Sequence, residues 1–175
     1  MEQKIYAIKS VLNLKDEDSV VVTKSYIFSE DKVRLHYVSA KNKEWDKGTI
    51  ALIPGTYECA NDYIPFLTSM AKIGYECHSL DLRGCGLSGG NRYSLNLITM
   101  QLDIQELIQR AKSNRLFIIA HSAACVPVLC YLLNNLHITP CGVALLSPIL
   151  ECEEKGIHLI MKIYKLVKND IYVNS

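Results

Sequence analysis

The sequence predicts an α/β fold, a mostly parallel sheet with helices on both faces, and three observations carry that expectation. Four short β-rich runs alternate with helical patterns from Thr49 onward. The runs are nearly continuous in apolar residues, as strands covered on both faces are. Ahead of them, apolar and polar residues alternate on either side of a turn-rich centre, which predicts an antiparallel hairpin. A chain of 175 residues, 49% apolar and 21% charged, has enough apolar material for one buried core. Without an internal repeat, Ser/Pro-rich linker or long charge block, residues 1–175 read as a single domain.

The elements follow in order. Lys15-Asp16-Glu17-Asp18 is a solvated turn. Ser25-Tyr26-Ile27-Phe28 and Val33-Arg34-Leu35-His36-Tyr37-Val38 form the hairpin around Ser29-Glu30-Asp31-Lys32. The parallel strands are Thr49-Ile50-Ala51-Leu52-Ile53, Tyr75-Glu76-Cys77-His78-Ser79-Leu80, Leu116-Phe117-Ile118-Ile119-Ala120 and Gly142-Val143-Ala144-Leu145-Leu146. Between them, residues 62–73 predict a helix with Asn61 or Asp62 capping, Pro65 in the first turn and Gly74 at the stop. Leu97, Met100, Ile104, Leu107, Ile108 and Ala111 make a 3.6-residue stripe, with Asp103 on its polar side as a solvated or capping residue. A third helix is expected over residues 123–135, irregular at its start because Pro127 lacks the N–H that would reach the Ala123 carbonyl.

Charge and cysteine usage exclude several classes. Nineteen Lys and Arg balance eighteen Asp and Glu, so no general field draws nucleic acid to the chain. Seven cysteines without a C-x-x-C pair give neither a disulfide framework nor a zinc site, and no metal or cofactor is expected. Cys77, Cys125, Cys130 and Cys141 sit in apolar stretches and read as small core residues. No apolar run reaches the roughly 20 residues of a bilayer span, and Met1-Glu2-Gln3-Lys4 opens no secretion signal, so a cytoplasmic location is expected.

Ligands of a parallel α/β sheet bind beyond the carboxyl ends of its strands, and three loops lie there. They are Pro54-Gly55-Thr56-Tyr57-Glu58, the stretch from Asp81 to Gly90, and Ala120-His121-Ser122-Ala123-Ala124. In the last, a serine stands between strand and helix with small residues two before and two after, as the tight turn of a nucleophile elbow requires. The helix start offers unpaired N–H groups suited to a developing oxyanion, Ala123 N–H first. His121 reads as a packing or hydrogen-bonding residue, and Asp81 and Arg83 as loop-fixing residues. A phosphate cradle in residues 84–90 is disfavoured because no P-loop Lys-Ser/Thr follows.

On these motifs the chain resembles the α/β-hydrolase superfamily, in its monoacylglycerol lipase and lysophospholipase branch, grouped with serine aminopeptidase-like hydrolases. The resemblance spans about Ser25 to Pro148. Pro54-Gly55-Thr56-Tyr57-Glu58 stands where that branch has H-G-x-x-E, Asp81 to Ser88 matches D-x-R-G-x-G-x-S, and His121-Ser122 lies in the elbow. Pro54 and Cys85 replace histidines frequent in the branch. The resemblance implies Ser122 as nucleophile and the Thr56 and Ala123 N–H groups as oxyanion donors, acting on a small lipid or other carboxylic ester through an acyl-serine.

In that branch the triad acid and histidine follow later strands. This sequence stops at Ser175, so the expectation is a C-terminally truncated domain that lacks the last strands and both residues. His137 precedes a strand, on the opposite rim; His158 lies in the apolar stretch of residues 157–167, where a lid or cap segment (about 150–175) would begin; Glu151 is a remote acid candidate. Two alternatives stand beside catalysis: a non-catalytic remnant that binds a ligand or partner, and a fragment of a longer gene product. The strand Gly142 to Leu146 is expected to form an exposed sheet edge through which the chain self-associates, and peripheral membrane contact accompanies the lipid reading.

Overall fold

The computed structural model describes residues 20–92, 96–111, 113–148 and 171–174. The segments expected at residues 15–18 and 150–170, with Glu151, His158 and the lid, lie outside the described residues.

The hairpin is longer than its alternation suggested. β1 (Val20–Phe28) and β2 (Arg34–Asn42) pair antiparallel from Val20↔Asn42 to Phe28↔Arg34. The β-branched run Val20-Val21-Val22-Thr23 suits extended backbone and carries the pairing further toward the N-terminus. Ser29 closes the turn by accepting the Val33 N–H on its hydroxyl at 3.0 Å.

The four expected parallel strands form as β3 (Gly48–Ile53), β4 (Tyr75–Leu80), β5 (Leu116–His121) and β6 (Gly142–Leu146). A seventh, β7 (Ile171–Asn174), pairs parallel to β6 in the register Val143↔Ile171. The sheet order is β1-β2-β4-β3-β5-β6-β7. The expectation that β6 is an exposed edge is therefore corrected: residues 147–170 are long enough for the crossover that a parallel pairing needs, and β7 takes up the outer side of β6.

Three helices cover the sheet. A 3₁₀ turn (Ala60–Tyr63) leads into α1 (Ile64–Lys72), with Pro65 in the first turn as expected. The cap is corrected: Cys59 precedes the 3₁₀ turn, its N–H accepted by the Asp62 carboxylate at 3.0 Å, and Tyr63 precedes α1. α2 (Leu97–Arg110) is capped by Asn96, whose side-chain oxygen accepts the Ile98 and Thr99 N–H groups. α3 (Cys125–Asn134) starts after a 3₁₀ turn (Ser122–Ala124), the irregular start that Pro127 imposes.

β3 shows why the parallel strands read as continuous apolar runs. Ile50 and Leu52 pack on one face with Val38, Ala40, Cys77 and α1 residues Leu67 and Ala71. Ala51 and Ile53 pack on the other with Ile104, Leu107, Val128 and Leu129 of α2 and α3. β3 thus alternates between two buried faces, which keeps it apolar after Thr49, whereas β4 buries the polar His78 and Ser79 among its apolar residues. Cys77 and Cys125 are buried as expected, whereas Cys141 is exposed and Cys130 half-buried. Cys141 lies just before β6, where the chain is still on the surface.

Asp103 is the other correction. Its side chain is fully buried, held by Arg83 Nε at 3.1 Å, Arg83 Nη2 at 2.7 Å and the Arg83 backbone N–H at 2.8 Å. It is neither solvated nor a cap, because it flanks the same α2 stripe that buries Met100 and Leu107.

Candidate active site

The order of strands reverses at β3, with β4 on one side and β5 on the other. The crevice at their carboxyl ends is where such a sheet binds ligands. Residues 54–58, 81–90 and 122–124 meet there.

The loop of residues 81–90 is fixed by a buried carboxylate. Asp81 Oδ1 accepts the Ala60 N–H at 2.6 Å, and Oδ2 accepts the Leu87 N–H at 2.8 Å and lies 3.1 Å from His36 Nδ1. Gly86 has φ +47°, and a Cβ there would lie 2.2 Å from Asp81 Oδ2. Only a residue without a side chain lets the loop fold over its own anchor. Arg83 extends the same brace outward, pairing with Asp31 at 2.6 Å as well as with Asp103. The Arg83 hydrogen bond holds the Asp31 carboxyl down to about 2. The loop-fixing role expected of Asp81 and Arg83 is what these bonds perform.

Ser122 follows β5 directly and has φ +54°, a left-handed conformation that costs a non-glycine residue about 1–3 kcal/mol. Ala120 and Ala124, its small flanks, are fully buried, and Cys125 donates its thiol hydrogen to the Ala120 carbonyl at 3.3 Å. Ser122 and Ala123 are half-buried. Ala123 stands in the first turn of the 3₁₀ segment, where N–H groups have no acceptor earlier in the helix.

The 54–58 turn approaches the elbow through Gly55. The Glu58 N–H donates to the Gly55 carbonyl at 3.1 Å, closing a turn in which Tyr57 has φ +71°. Gly55 packs so close to the elbow that a Cβ on it would lie 3.1 Å from Ser122 Cβ and 2.9 Å from Glu58 Oε2. The Gly55 N–H is occupied by Glu58 Oε2 at 2.7 Å, which leaves Thr56 as the next backbone donor along the loop.

Glu58 is a residue that the motif named without a role. Its Oε2 also accepts the Tyr63 hydroxyl at 2.5 Å and lies 2.8 Å from His121 Nδ1. Tyr63 Oη is 3.0 Å from the same nitrogen. Burial alone would raise the Glu58 carboxyl, but the hydrogen bonds from Tyr63, His121 and Gly55 outweigh it and hold the group below its ordinary range. Burial and the neighbouring Glu58 push the Tyr63 phenol far up. His121 is thus a hydrogen-bonding residue, as expected, and its partners are now named.

The other expected residues lie apart. His137 is exposed at the opposite rim, beside Tyr131 and Ile108 in a cleft of about 860 Å³. His36 is committed to Asp81, and His78 is buried against the Tyr37 hydroxyl. Among the described residues no helix is long and apolar enough to cross a membrane.

Solved structures share this arrangement of strands. A probable hydrolytic enzyme from Pseudomonas aeruginosa is 21% identical, with a TM-score of 0.63, over 78% of this chain and 44% of that one. An esterase from Exiguobacterium antarcticum is 21% identical, with a TM-score of 0.62, over 72% and 46%. The thioesterase domain of the curacin biosynthetic pathway is 18% identical, with a TM-score of 0.65, over 77% and 47%. At these identities the likeness shows the fold, and the chain spans less than half the length of each. No curated protein sequence matches. The serine aminopeptidase S33 family model matches residues 45–175, which contain the elbow, the Asp81 loop and the Glu58 turn, and the chain belongs to that family.

Proposed function

We propose that the chain is a serine hydrolase domain whose nucleophile is Ser122 and whose substrates are carboxylic esters of small lipids. One observation carries this reading: Ser122 is held in a left-handed backbone conformation between β5 and a helix start, against the Gly55 backbone. A serine that serves only as a helix cap has extended backbone and needs no such strain. In the reaction, Ser122 Oγ attacks the ester carbonyl carbon and passes its proton to a base. The carbonyl oxygen takes up the negative charge, facing the Thr56 and Ala123 N–H groups. Collapse of the tetrahedral intermediate breaks the bond to the alcohol, which leaves with a proton, and water later releases the acid from the acyl-serine. Ester chemistry is supported by the esterase and thioesterase among the similar structures. The monoacylglycerol or lysophospholipid character of the substrate and a cytoplasmic location rest on the sequence motifs and composition.

A second reading is a ligand-binding or partner-binding module without turnover. It is favoured by the engagement of His36 with Asp81, His78 with Tyr37 and His121 with Glu58, and by the distant rim position of His137. A fluorophosphonate probe separates the two, because it reacts with an activated serine and ignores one that is merely in place. Hydrolase chemistry expects labelling that vanishes in Ser122→Ala. Equal labelling of wild type and variant, or none of either, leaves the binding module.

A further inference from the structure

We propose that Glu58 is a positioning residue that sets the spacing between the Thr56 turn and the Ser122 elbow through one carboxylate oxygen. The inference rests on the hydrolase reading, since the spacing matters because both elements face the same reacting carbonyl. Oε2 of Glu58 takes the Gly55 N–H at 2.7 Å, from the residue before Thr56, and meets His121 Nδ1 at 2.8 Å, from the residue before Ser122. The bond to His121 joins positions 63 apart in sequence; Glu58 lies two residues after Thr56, and His121 directly precedes Ser122.

The geometry requires such a tie. Pro54 and Gly55 are buried, but the chain then turns out to the surface at Tyr57, which has φ +71° and is 80% exposed, so Thr56 lies between a packed residue and a strained, exposed one. Oxyanion donors must sit within about 0.5 Å of their productive positions. Tyr63, at the 3₁₀ turn before α1, supplies the third donor at 2.5 Å and so fixes the carboxylate from the helix side. The Gly55 N–H, spent on Glu58, is withheld from the oxyanion, and the proximity of Gly55 to Ser122 Cβ leaves no slack between the two loops. His121 presents Nδ1–H to the carboxylate, which sets its tautomer and holds the ring against Tyr63.

Amide NMR of the full chain carrying Ser122→Ala tests the clamp whether or not Ser122 reacts. In Glu58→Ala, Gly55 amide exchange is expected to rise at least tenfold. The Thr56 and Ala123 amide resonances should shift, and the His121 Nδ1–H signal should disappear, with α2 amides still protected. Glu58→Gln keeps an oxygen acceptor for Gly55 and should restore most of the Gly55 protection and the two amide positions. Unchanged Thr56 and Ala123 resonances in Glu58→Ala would overturn the proposal, as would a Glu58→Gln variant no closer to wild type. Should Glu58→Ala lose α2 protection as well, Tyr63→Phe, which removes one donor, takes its place: a smaller rise at Gly55 is expected, and no change there overturns the clamp. With Ser122 intact, failure of fluorophosphonate labelling counts against the hydrolase reading alone.

Discussion

Arg83→Met should be the most damaging single change to the loop that borders the site. The wild-type guanidinium reaches Asp103 through Nε at 3.1 Å and Nη2 at 2.7 Å, and reaches Asp31 through Nη1 at 2.6 Å and Nη2 at 2.9 Å. Asp103 is fully buried, so removing the Arg83 guanidinium leaves its carboxylate with the residue-83 backbone N–H at 2.8 Å in place of the paired charge. Breaking a buried pair in this way costs about 3–5 kcal/mol. Burial already pushes the Asp103 carboxyl up, so it relieves part of its charge by protonation, and the lower end, about 3 kcal/mol, is expected. For a chain of this size that is a fall in Tm of roughly 6–12 °C. Asp31 is 37% exposed at its side chain, and Asp31→Asn should cost less than about 1 kcal/mol. Urea and thermal unfolding followed by circular dichroism measure Arg83→Met, Asp31→Asn and Asp103→Leu, together with the double variant Arg83→Met/Asp103→Leu. The double variant removes both charges and should be more stable than Arg83→Met alone. A single Arg83→Met within about 1 kcal/mol of wild type, or a double variant as unstable as the summed singles, would refute the view of a coupled buried pair.

Three further outcomes are expected. Gly86→Ala should cost at least about 2 kcal/mol, because the new methyl lands 2.2 Å from the buried Asp81 carboxylate; thermal melts near wild type would show that the loop has room to shift. Burial holds His78 down to about 4 from an ordinary 6.5, so the unfolded chain binds the proton first and stability should fall as pH drops from about 6.5 to 4, by up to about 3 kcal/mol. His78→Gln, which keeps an acceptor for the Tyr37 hydroxyl, should flatten that part of the stability–pH curve, and an unaltered slope would assign the dependence elsewhere. Among the described residues His36, His78 and His121 are engaged by other side chains and His137 stands at the far rim, so with these alone hydrolysis of short p-nitrophenyl esters should be weak, at the level of about 10³–10⁴-fold over water that oxyanion donors and binding retain. A robust rate abolished by Ser122→Ala would demand a base, and His158 is the first to replace.

What the sequence made legible is what repeats or stays local. The parallel strands were readable because burial on both faces keeps most of their positions apolar, and the elbow because Ala120, Ser122 and Ala124 meet a steric demand within five residues. Asp103 was misplaced although its signal was present: it follows Met100 by three and precedes Leu107 by four, the spacings that put a residue beside the buried stripe. A carboxylate there needs a buried cation, and Arg83 lies 20 positions earlier, on another element. β7 was missed because four residues after an apolar helical stretch carry too little alternation, and its pairing with β6 is a tertiary fact.

The Glu58 cluster shows the same division at the site itself. The motif marked Glu58 and the elbow marked His121, but no local rule joins positions 63 apart, and only the fold puts a carboxylate between them. That placement has a cost that the structure answers. A negative charge near a forming oxyanion opposes it unless the charge is spent on donors. Gly55, Tyr63 and His121 supply three, all converging on one oxygen of Glu58, which keeps the carboxylate ionised while its field is drawn toward its own partners. On the proposed reading, an ester oxygen held by the Thr56 and Ala123 N–H groups would then meet a Glu58 carboxylate already engaged by three donors.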